Sequence, residues 1–388
     1  MRNLHISLNE FTNASRVLKQ TKSLVDSGIV DKLYIAALYK EGLDSEFNYD
    51  NKRELKRFSL RSRSLNKSLF MQVIKYIEFC FSIYNYYKDK NIKMINIHSL
   101  SMLPFGLFLK YCFQAILIYD THELEVERNG LKGVRKKISR FFESKLIKHV
   151  DMTIVVSESI ADWYQKEYDI KRPPVVLNAP NKREMKKNNH FREQLDIRED
   201  QIILIYQGGL FYGRGIHLIL DAFRDRKDDK VVVVFMGYGE LEKDITDLAK
   251  NYNNIFFFPA VSPQVVLEYT SSADLGISLI ENTCLSYYYC MPNKLFEYSM
   301  AGLPVLVSNM KDMSELVVKN NMGVVISDFS SKGINQAVDD FLTRDLVSMK
   351  KNAYDVACEN SWEVQEQKMI FSYRKLLENH DIFDLKNK

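Results

Sequence analysis

The chain has 388 residues, 46% of them hydrophobic and 27% charged, with a formal net charge of +4. That length favours two domains over a single core, and that composition excludes a disordered chain. The small charge excess gives no global signal for nucleic acid, and five scattered cysteines (Cys80, Cys112, Cys284, Cys290, Cys358) show neither a disulfide framework nor zinc spacing.

In chain order, the opening segment MRNLHISLNE meets polar residues too early for a signal peptide. Apolar runs of strand length then alternate with helical patterns. Strands are predicted at Leu4–Leu8, Leu33–Ala37, Met94–His98, Ile116–Tyr119, Met152–Val156 and Val175–Leu177. The most apolar stretch, Met102–Ile118, is broken by Pro104, Lys110 and Gln114 and is too short and polar to span a membrane. Residues 178–201 are polar and read as a linker with one short helix. The alternation restarts with strands at Ile202–Tyr206, Val231–Met236, Ile255–Phe258, Leu275–Leu279, Val305–Val307 and Val324–Ile326. Helices are predicted at His217–Phe223 and Glu240–Lys250, with another starting at Ser262–Pro263. Near-continuous apolar strands separated by helices predict parallel sheets covered on both faces. The expected class is α/β: two doubly wound, Rossmann-like domains, residues 1–178 and 179–361, facing each other across a cleft. In such sheets ligands sit at the carboxyl ends of the strands.

Three segments of the second half carry chemistry. In IYQGGLFYGRGIHLILDAF (205–223) a strand, a glycine-rich turn and a helix follow one another. Gly208 and Gly209 let backbone approach a ligand, and Arg214 stands at the helix mouth as a phosphate donor; a plain βα turn with a solvated arginine is the alternative. VVVVFMGYGELEKDI (231–245) repeats the theme with Gly237. PNKLFEYSMAGLPVLVS (292–308) reads as helix, tight turn and buried strand. Its Lys294 and Glu297 share a helix face, as an i,i+3 ion pair or as two groups addressing a ligand with phosphate and ribose. The spacings match neither the dinucleotide nor the P-loop fingerprint, which argues against a dehydrogenase.

Together these segments resemble the nucleotide-sugar domain of GT-B glycosyltransferases, specifically the retaining family 4 group, and the resemblance extends over the chain. It implies a sugar transfer from a nucleotide-sugar donor to a glycan or polyprenyl-linked acceptor, in bacterial surface polysaccharide assembly at the inner face of the cytoplasmic membrane. It implies no cofactor and no metal. Glu297 resembles the ribose-holding glutamate, Arg214 a diphosphate-contacting lysine, and Gly237 a glycine near the nucleotide. Phe258–Val261 resembles the base-reading edge, and Ser286–Asn293 would border the sugar, with Asn293, Lys294 and Leu295 at the nucleotide. YDTHELEVE (119–127) resembles the segment with the active-site histidine, here His122, flanked by Asp120 and Glu123. Catalytic roles therefore fall to His122, Arg214 and Lys294. SWEVQEQKMIFSYRKLL (361–377) resembles a C-terminal helix, about 362–388, that packs back on the first domain.

The chain departs from the family pattern in places. Tyr289 stands where a glutamate is usual, Gly209 where an arginine is frequent, and Asn13, Ala14 and Ser15 replace a loop glycine pair. Ser15 and Arg16, at a helix start, are the substitute contacts for an acceptor, sugar or anion. Two readings compete with transfer: a non-catalytic GT-B partner subunit, left open by Tyr289 and the missing glycines, and a GT-B epimerase, which needs more acids and bases around the sugar.

The first half also carries basic and aromatic stretches. Residues 51–67 hold seven Lys/Arg against one Glu, FMQVIKYIEFCFSIYNYY (70–87) is aromatic-rich, and KGVRKKISRFFESKLIKH (132–149) is basic with Phe141–Phe142. An anionic membrane surface suits them; a solvated face over ordinary core is the alternative. No nucleic-acid partner is expected.

Overall fold

The computed structural model describes residues 1–12, 14–66 and 68–386. Asn13 of the first loop, Lys67 of the basic stretch and the last two positions of the predicted C-terminal helix lie outside the described residues. The chain divides into two compact units, Met1–Val176 with Glu366–Lys388, and Leu177–Gln365.

The first unit has strands β1 (Arg2–Ile6), β2 (Lys32–Leu38), β3 (Glu46–Asn48), β4 (Arg53–Phe58), β5 (Ile92–Ile97), β6 (Ile116–Asp120) and β7 (Met152–Ile154). They form one sheet in the order β3-β4-β2-β1-β5-β6-β7, parallel except for β3 against β4. Its helices are α1 (Ser15–Asp26), α2 (Leu69–Tyr87), α3 (Leu103–Phe113), α4 (Gly133–Leu146) and α5 (Glu158–Tyr168). The crossovers β4–β5, β5–β6 and β6–β7 all move the same way along the sheet. Right-handedness therefore places α2, α3 and α4 on one face, and α1, whose crossover runs the other way, on the opposite face.

Two expectations change here. Residues 53–58, inside the basic stretch, form the strand β4, and two of its arginines are not surface charges. Arg53 pairs with Asp50 at 2.7 Å, and Arg57 donates to the carbonyls of Glu10 at 2.9 Å and Asp44 at 2.7 Å. Buried guanidinium groups need such acceptors, so part of the apparent basic surface is internal structure. Val175–Leu177 makes only a single bridge, Val175 to Val155, rather than a strand.

The second unit has β8 (Ile202–Gly209), β9 (Val231–Tyr238), β10 (Ile255–Pro259), β11 (Leu275–Ser278), β12 (Val305–Ser308) and β13 (Gly323–Ile326). The sheet order is β10-β9-β8-β11-β12-β13, parallel throughout. Its helices are α6 (His190–Leu195), α7 (Ile216–Asp225), α8 (Glu242–Ala249), α9 (Val266–Thr270), α10 (Leu285–Tyr288), α11 (Asn293–Met300), α12 (Lys311–Lys319), α13 (Ser331–Leu342) and α14 (Leu346–Glu359). The helix expected at Ser262–Pro263 begins later, at Val266. Both sheet faces are buried: Leu204, Tyr206, Val233 and Phe235 pack in one core, Ile203, Ile205, Val232 and Val234 in the other. Period-two alternation between two dry faces is why β8 and β9 read as unbroken apolar runs.

A last helix, α15 (Trp362–Lys386), starts in the second unit and continues in the first. Within the first unit its Tyr373 hydroxyl accepts from Asn96 Nδ2 at 2.5 Å.

Candidate active site

The predicted nucleotide residues of the second unit gather at the carboxyl edge of its sheet. Gly208 and Gly209 end β8, Gly237 precedes the last residue of β9, and Val261 follows β10. Asn293 and Lys294 open α11, with Glu297 one turn on.

The glycines act differently. Gly208 has φ +110° and open space around a hypothetical Cβ, which is what a backbone open to a ligand requires. Gly237 pairs with Gly208 across β8–β9, and a Cβ there would lie 1.9 Å from the Gly208 carbonyl oxygen. Strand packing, not approach to a ligand, therefore fixes Gly237 as glycine. Gly237→Ala is expected to lower the unfolding free energy by about 3 kcal/mol, read from urea denaturation; an unchanged midpoint would mean the two strand ends separate freely.

Arg214 lies between Gly213 and Gly215, both at positive φ, and its guanidinium sits 4.9 Å from the Tyr287 ring centroid. Gly215 N donates to Glu281 Oε1 at 3.3 Å and Glu281 N donates to the Gly213 carbonyl at 3.2 Å. The loop after β11 thus clamps the turn that aims Arg214.

Lys294 and Glu297 share a helix face but form no ion pair with each other among the described residues. The Lys294 ammonium stands 3.8 Å from the Tyr206 ring centroid. Burial pushes its pKa down to about 7, helped by the nearby charge of Arg214 and opposed by Glu297. Two cations are thus held close together on aromatic faces, with neither in an ion pair among the described residues. Glu297 Oε2 accepts from Gln207 Nε2 at 2.5 Å, and Gln207 Oε1 accepts from Thr270 Oγ1 at 2.6 Å. Gln207 N in turn donates to the Tyr298 hydroxyl at 2.9 Å. Gln207 therefore orients the carboxylate. Only its place at a strand end, one residue before the glycine pair, could have signalled it.

Other expectations for this edge are modified. Leu295 is fully buried in the core and its N–H donates to the Pro292 carbonyl at 3.1 Å, so neither its side chain nor its amide faces outward. Val261 packs partly against the same core. Asn293 is exposed at the first turn of α11. Tyr289 caps the C-terminus of α10, with Lys311 Nζ 5.7 Å from its ring centroid.

In the first unit, Asp120 at the end of β6 is a fully buried hub. Arg16 Nη2 and Nε donate to its two oxygens at 2.8 and 3.2 Å, and Gln20 Nε2 donates at 2.8 Å. His98 Nδ1 and His122 Nε2 each lie 3.4 Å from Asp120 Oδ2. His98 Nε2 faces His5 Nδ1 at 3.0 Å. Burial opposes ionisation of Asp120, but the charge of Arg16 and the two histidines beside it outweigh it and hold the carboxyl well below its usual range. Burial lowers the pKa of His98, with Asp120 opposing, and keeps His5 well below its ordinary value. His122 alone of the three is exposed.

Arg16, expected at a ligand, is instead fully engaged by Asp120 and by the Val176 carbonyl at 2.7 Å. It positions the hub. Ser15 is exposed as the first residue of α1, and Glu123 pairs with Arg128 at 3.7 Å. The ligand atoms of His98, Asp120 and His122 lie within 4.8 Å of one another. Asp120 Oδ2 already accepts from Arg16 and Gln20, and a cation there would face the guanidinium, so the donor set suits hydrogen bonding better than a metal ion.

Residues 187–356 match the family model described as "Glycosyl transferases group 1". The chain is a glycosyltransferase. Lipopolysaccharide 1,2-N-acetylglucosaminetransferase of Salmonella typhimurium is 28% identical over 258 residues, 61% of this chain and 65% of that protein. Chitobiosyldiphosphodolichol beta-mannosyltransferase of Candida albicans is 22% identical over 343 residues, 80% of this chain and 74% of that one. Among solved structures, sucrose-phosphate synthase of Thermosynechococcus elongatus superposes with TM-score 0.80 at 15% identity, covering 98% of this chain and 100% of that chain. Anabaena HepE, solved with UDP and glucose, superposes with TM-score 0.71 at 13% identity, covering 97% and 100%. The glycosyltransferase thus has the GT-B fold, two Rossmann-like α/β units. Among its described residues no helix is long and apolar enough to cross a membrane.

Proposed function

We propose that the glycosyltransferase moves a hexose from a nucleoside diphosphate sugar to a lipid-linked glycan, with retention, during bacterial surface polysaccharide assembly. The observation that carries this reading is the pair Arg214 and Lys294, neither in an ion pair among the described residues, beside a Glu297 held by Gln207. Two close cations in a partly desolvated place suit a diphosphate, and an oriented carboxylate suits a ribose diol. As the glycosidic bond breaks, charge grows on the leaving diphosphate, and preorganised cations stabilise that charge more than the ground state. His122, exposed and 3.4 Å from Oδ2 of an ionised Asp120, is proposed as the sugar contact.

Support for a nucleotide-sugar donor comes also from the Anabaena structure with UDP and glucose. Support for a lipid-linked acceptor comes from the lipopolysaccharide and dolichol-linked transferases among the relatives. Retention and a place at the inner membrane face rest on the family resemblance and on the basic, aromatic surface of the first unit.

Purified protein, a panel of labelled nucleotide sugars and a polyprenyl-linked sugar acceptor test the reading together. The expected result is release of one nucleoside diphosphate and a product whose anomeric proton coupling matches the donor. An inverted product would overturn retention. Absence of turnover for every donor, with nucleotide binding also absent, would favour a non-catalytic subunit.

A further inference from the structure

The α2–α3–α4 layer of the first unit has an unusual outer surface. Leu69, Val73, Ile77 and Phe81 recur every four residues along α2 and are between 48% and 75% exposed. On α3, Phe108 and Tyr111 are exposed, and on α4 Val134, Ile138, Phe141 and Phe142 are exposed. Residues spaced by four form one row along a helix, and helices of a doubly wound fold normally turn that row inward. Contiguous exposed apolar area on this scale marks an interaction site.

Within this surface α2 and α3 leave a groove of about 490 Å³. Tyr76, Ile77, Cys80, Phe81, Pro104 and Phe108 line it, and no charged side chain does. Its walls are stiffened by aromatic contacts, Tyr84 to Phe108 at 5.5 Å and Phe105 to Phe108 at 6.2 Å. On α2 the lining runs from Tyr76 to Tyr84, about 12 Å of helix. A groove this apolar fits a hydrocarbon chain.

Its placement points to the substrate rather than to bulk lipid. α3 begins shortly after His98 at the end of β5, so Pro104 and Phe105 lie at the carboxyl edge of the sheet. That is the edge carrying His98, Asp120 and His122. Glu125 ties the two strand-end loops together there, its Oε2 accepting from Leu100 N at 3.2 Å. The segment that leads into α2 at the same edge carries Arg61, exposed and in no ion pair among the described residues. On α4, which packs against α3, Arg135 and Lys137 are likewise exposed and unpaired among the described residues. A chain with an anionic head at this edge meets apolar lining along its length and cations near its head.

We infer that the groove between α2 and α3 binds the polyprenyl chain of the acceptor, directing its phosphate-linked end toward the edge that holds His122. This rests on the lipid-linked acceptor reading above. It also separates recognition of the chain, by the groove, from recognition of the glycan.

Farnesyl diphosphate is the probe, a short polyprenyl chain with an anionic head. Binding is followed by calorimetry on the full chain, for wild type, Phe81→Glu and Phe108→Glu, with Val347→Glu on α14 as an exposed apolar control. Both aromatic residues are exposed, so the variants should fold, and their melting temperatures check it. The expected result is saturable binding that each groove variant weakens at least about tenfold and the control leaves unchanged. Alkylation gives a second readout: the probe should slow Cys80, in the groove, and not the exposed Cys112. Burial pushes the Cys80 thiol up to about 11, so the reaction is followed in alkaline buffer.

Three outcomes would overturn the proposal. One is farnesyl diphosphate binding that the groove variants do not alter. Another is no saturable binding while the variants abolish flotation with phosphatidylglycerol–phosphatidylcholine vesicles, which makes the surface a bilayer contact. The third is a wild-type dimer that the variants convert to monomer. A nucleoside diphosphate thermal shift on the same samples keeps the two readings apart. If that shift persists without polyprenyl binding, the groove proposal fails alone; if it is absent too, the transferase reading fails with it.

Discussion

Lys294→Met is expected to weaken nucleoside diphosphate binding about 100-fold, a loss of about 3 kcal/mol, as for removal of one partner of a desolvated charge pair. The same substitution should stabilise the ligand-free protein. Burial beside Arg214 holds Lys294 at about 7, against an ordinary 10.5. Between those two values the unfolded chain binds more protons than the folded one, so stability rises with pH across that window. Below about pH 7 the full cost of the enclosed charge is present. The methionine variant should lose this slope and melt higher at neutral pH.

Ligand binding has the opposite dependence. A diphosphate favours the protonated lysine, so wild-type affinity should fall as the pH rises above about 7, approaching about tenfold per unit. The variant should bind weakly with no such dependence. Calorimetry from pH 6 to 9 reads both arms. Equal slopes for the two proteins would remove Lys294 from the diphosphate site.

The second large effect lies in the first unit. Asp120→Asn keeps the shape of the hub and removes its charge, leaving Arg16 buried against a neutral amide. Removing one partner of a buried ion pair typically costs about 3–5 kcal/mol, and urea denaturation at neutral pH should show a loss of that size. Asp120 titrates well below 3.8 in the folded state. Its contribution is therefore present above the unfolded value and lost as the pH falls through the folded one. Wild type and variant should converge in stability toward strongly acidic pH. A loss under about 1 kcal/mol would show that the pair acts as an exposed one does.

Most of the second unit was legible because its sheet is buried on both faces. The apolar runs of β8 and β9 lead into glycine and that of β10 ends at proline, a pattern few other arrangements produce. The strand β4 was not legible. Its sequence, RELKRF, has two charged residues before each apolar one, and in a basic context that pattern resembles surface. Only the three-dimensional acceptors of Arg53 and Arg57 show that these charges are structural.

The site divides in the same way. Lys294, Glu297 and Arg214 stand out as charges in apolar or glycine-rich surroundings. Gln207 does not, because a glutamine at a strand end is unremarkable until its amide is seen between Thr270 and Glu297. Arg16 was visible as a charge at a helix start, but its partner lies 104 residues away. Local sequence cannot tell an arginine that waits for a ligand from one already paired.

The central claim is that Glu297 and Lys294 hold a nucleotide sugar. Its most direct test is thermal shift of wild type and Glu297→Ala against a panel of nucleoside diphosphates and their sugars, since a ligand that binds the folded state raises the melting temperature. The account predicts a shift with one base, largest for its sugar nucleotide, that the alanine variant loses while its ligand-free melting stays near wild type. A shift of equal size in both proteins would contradict it.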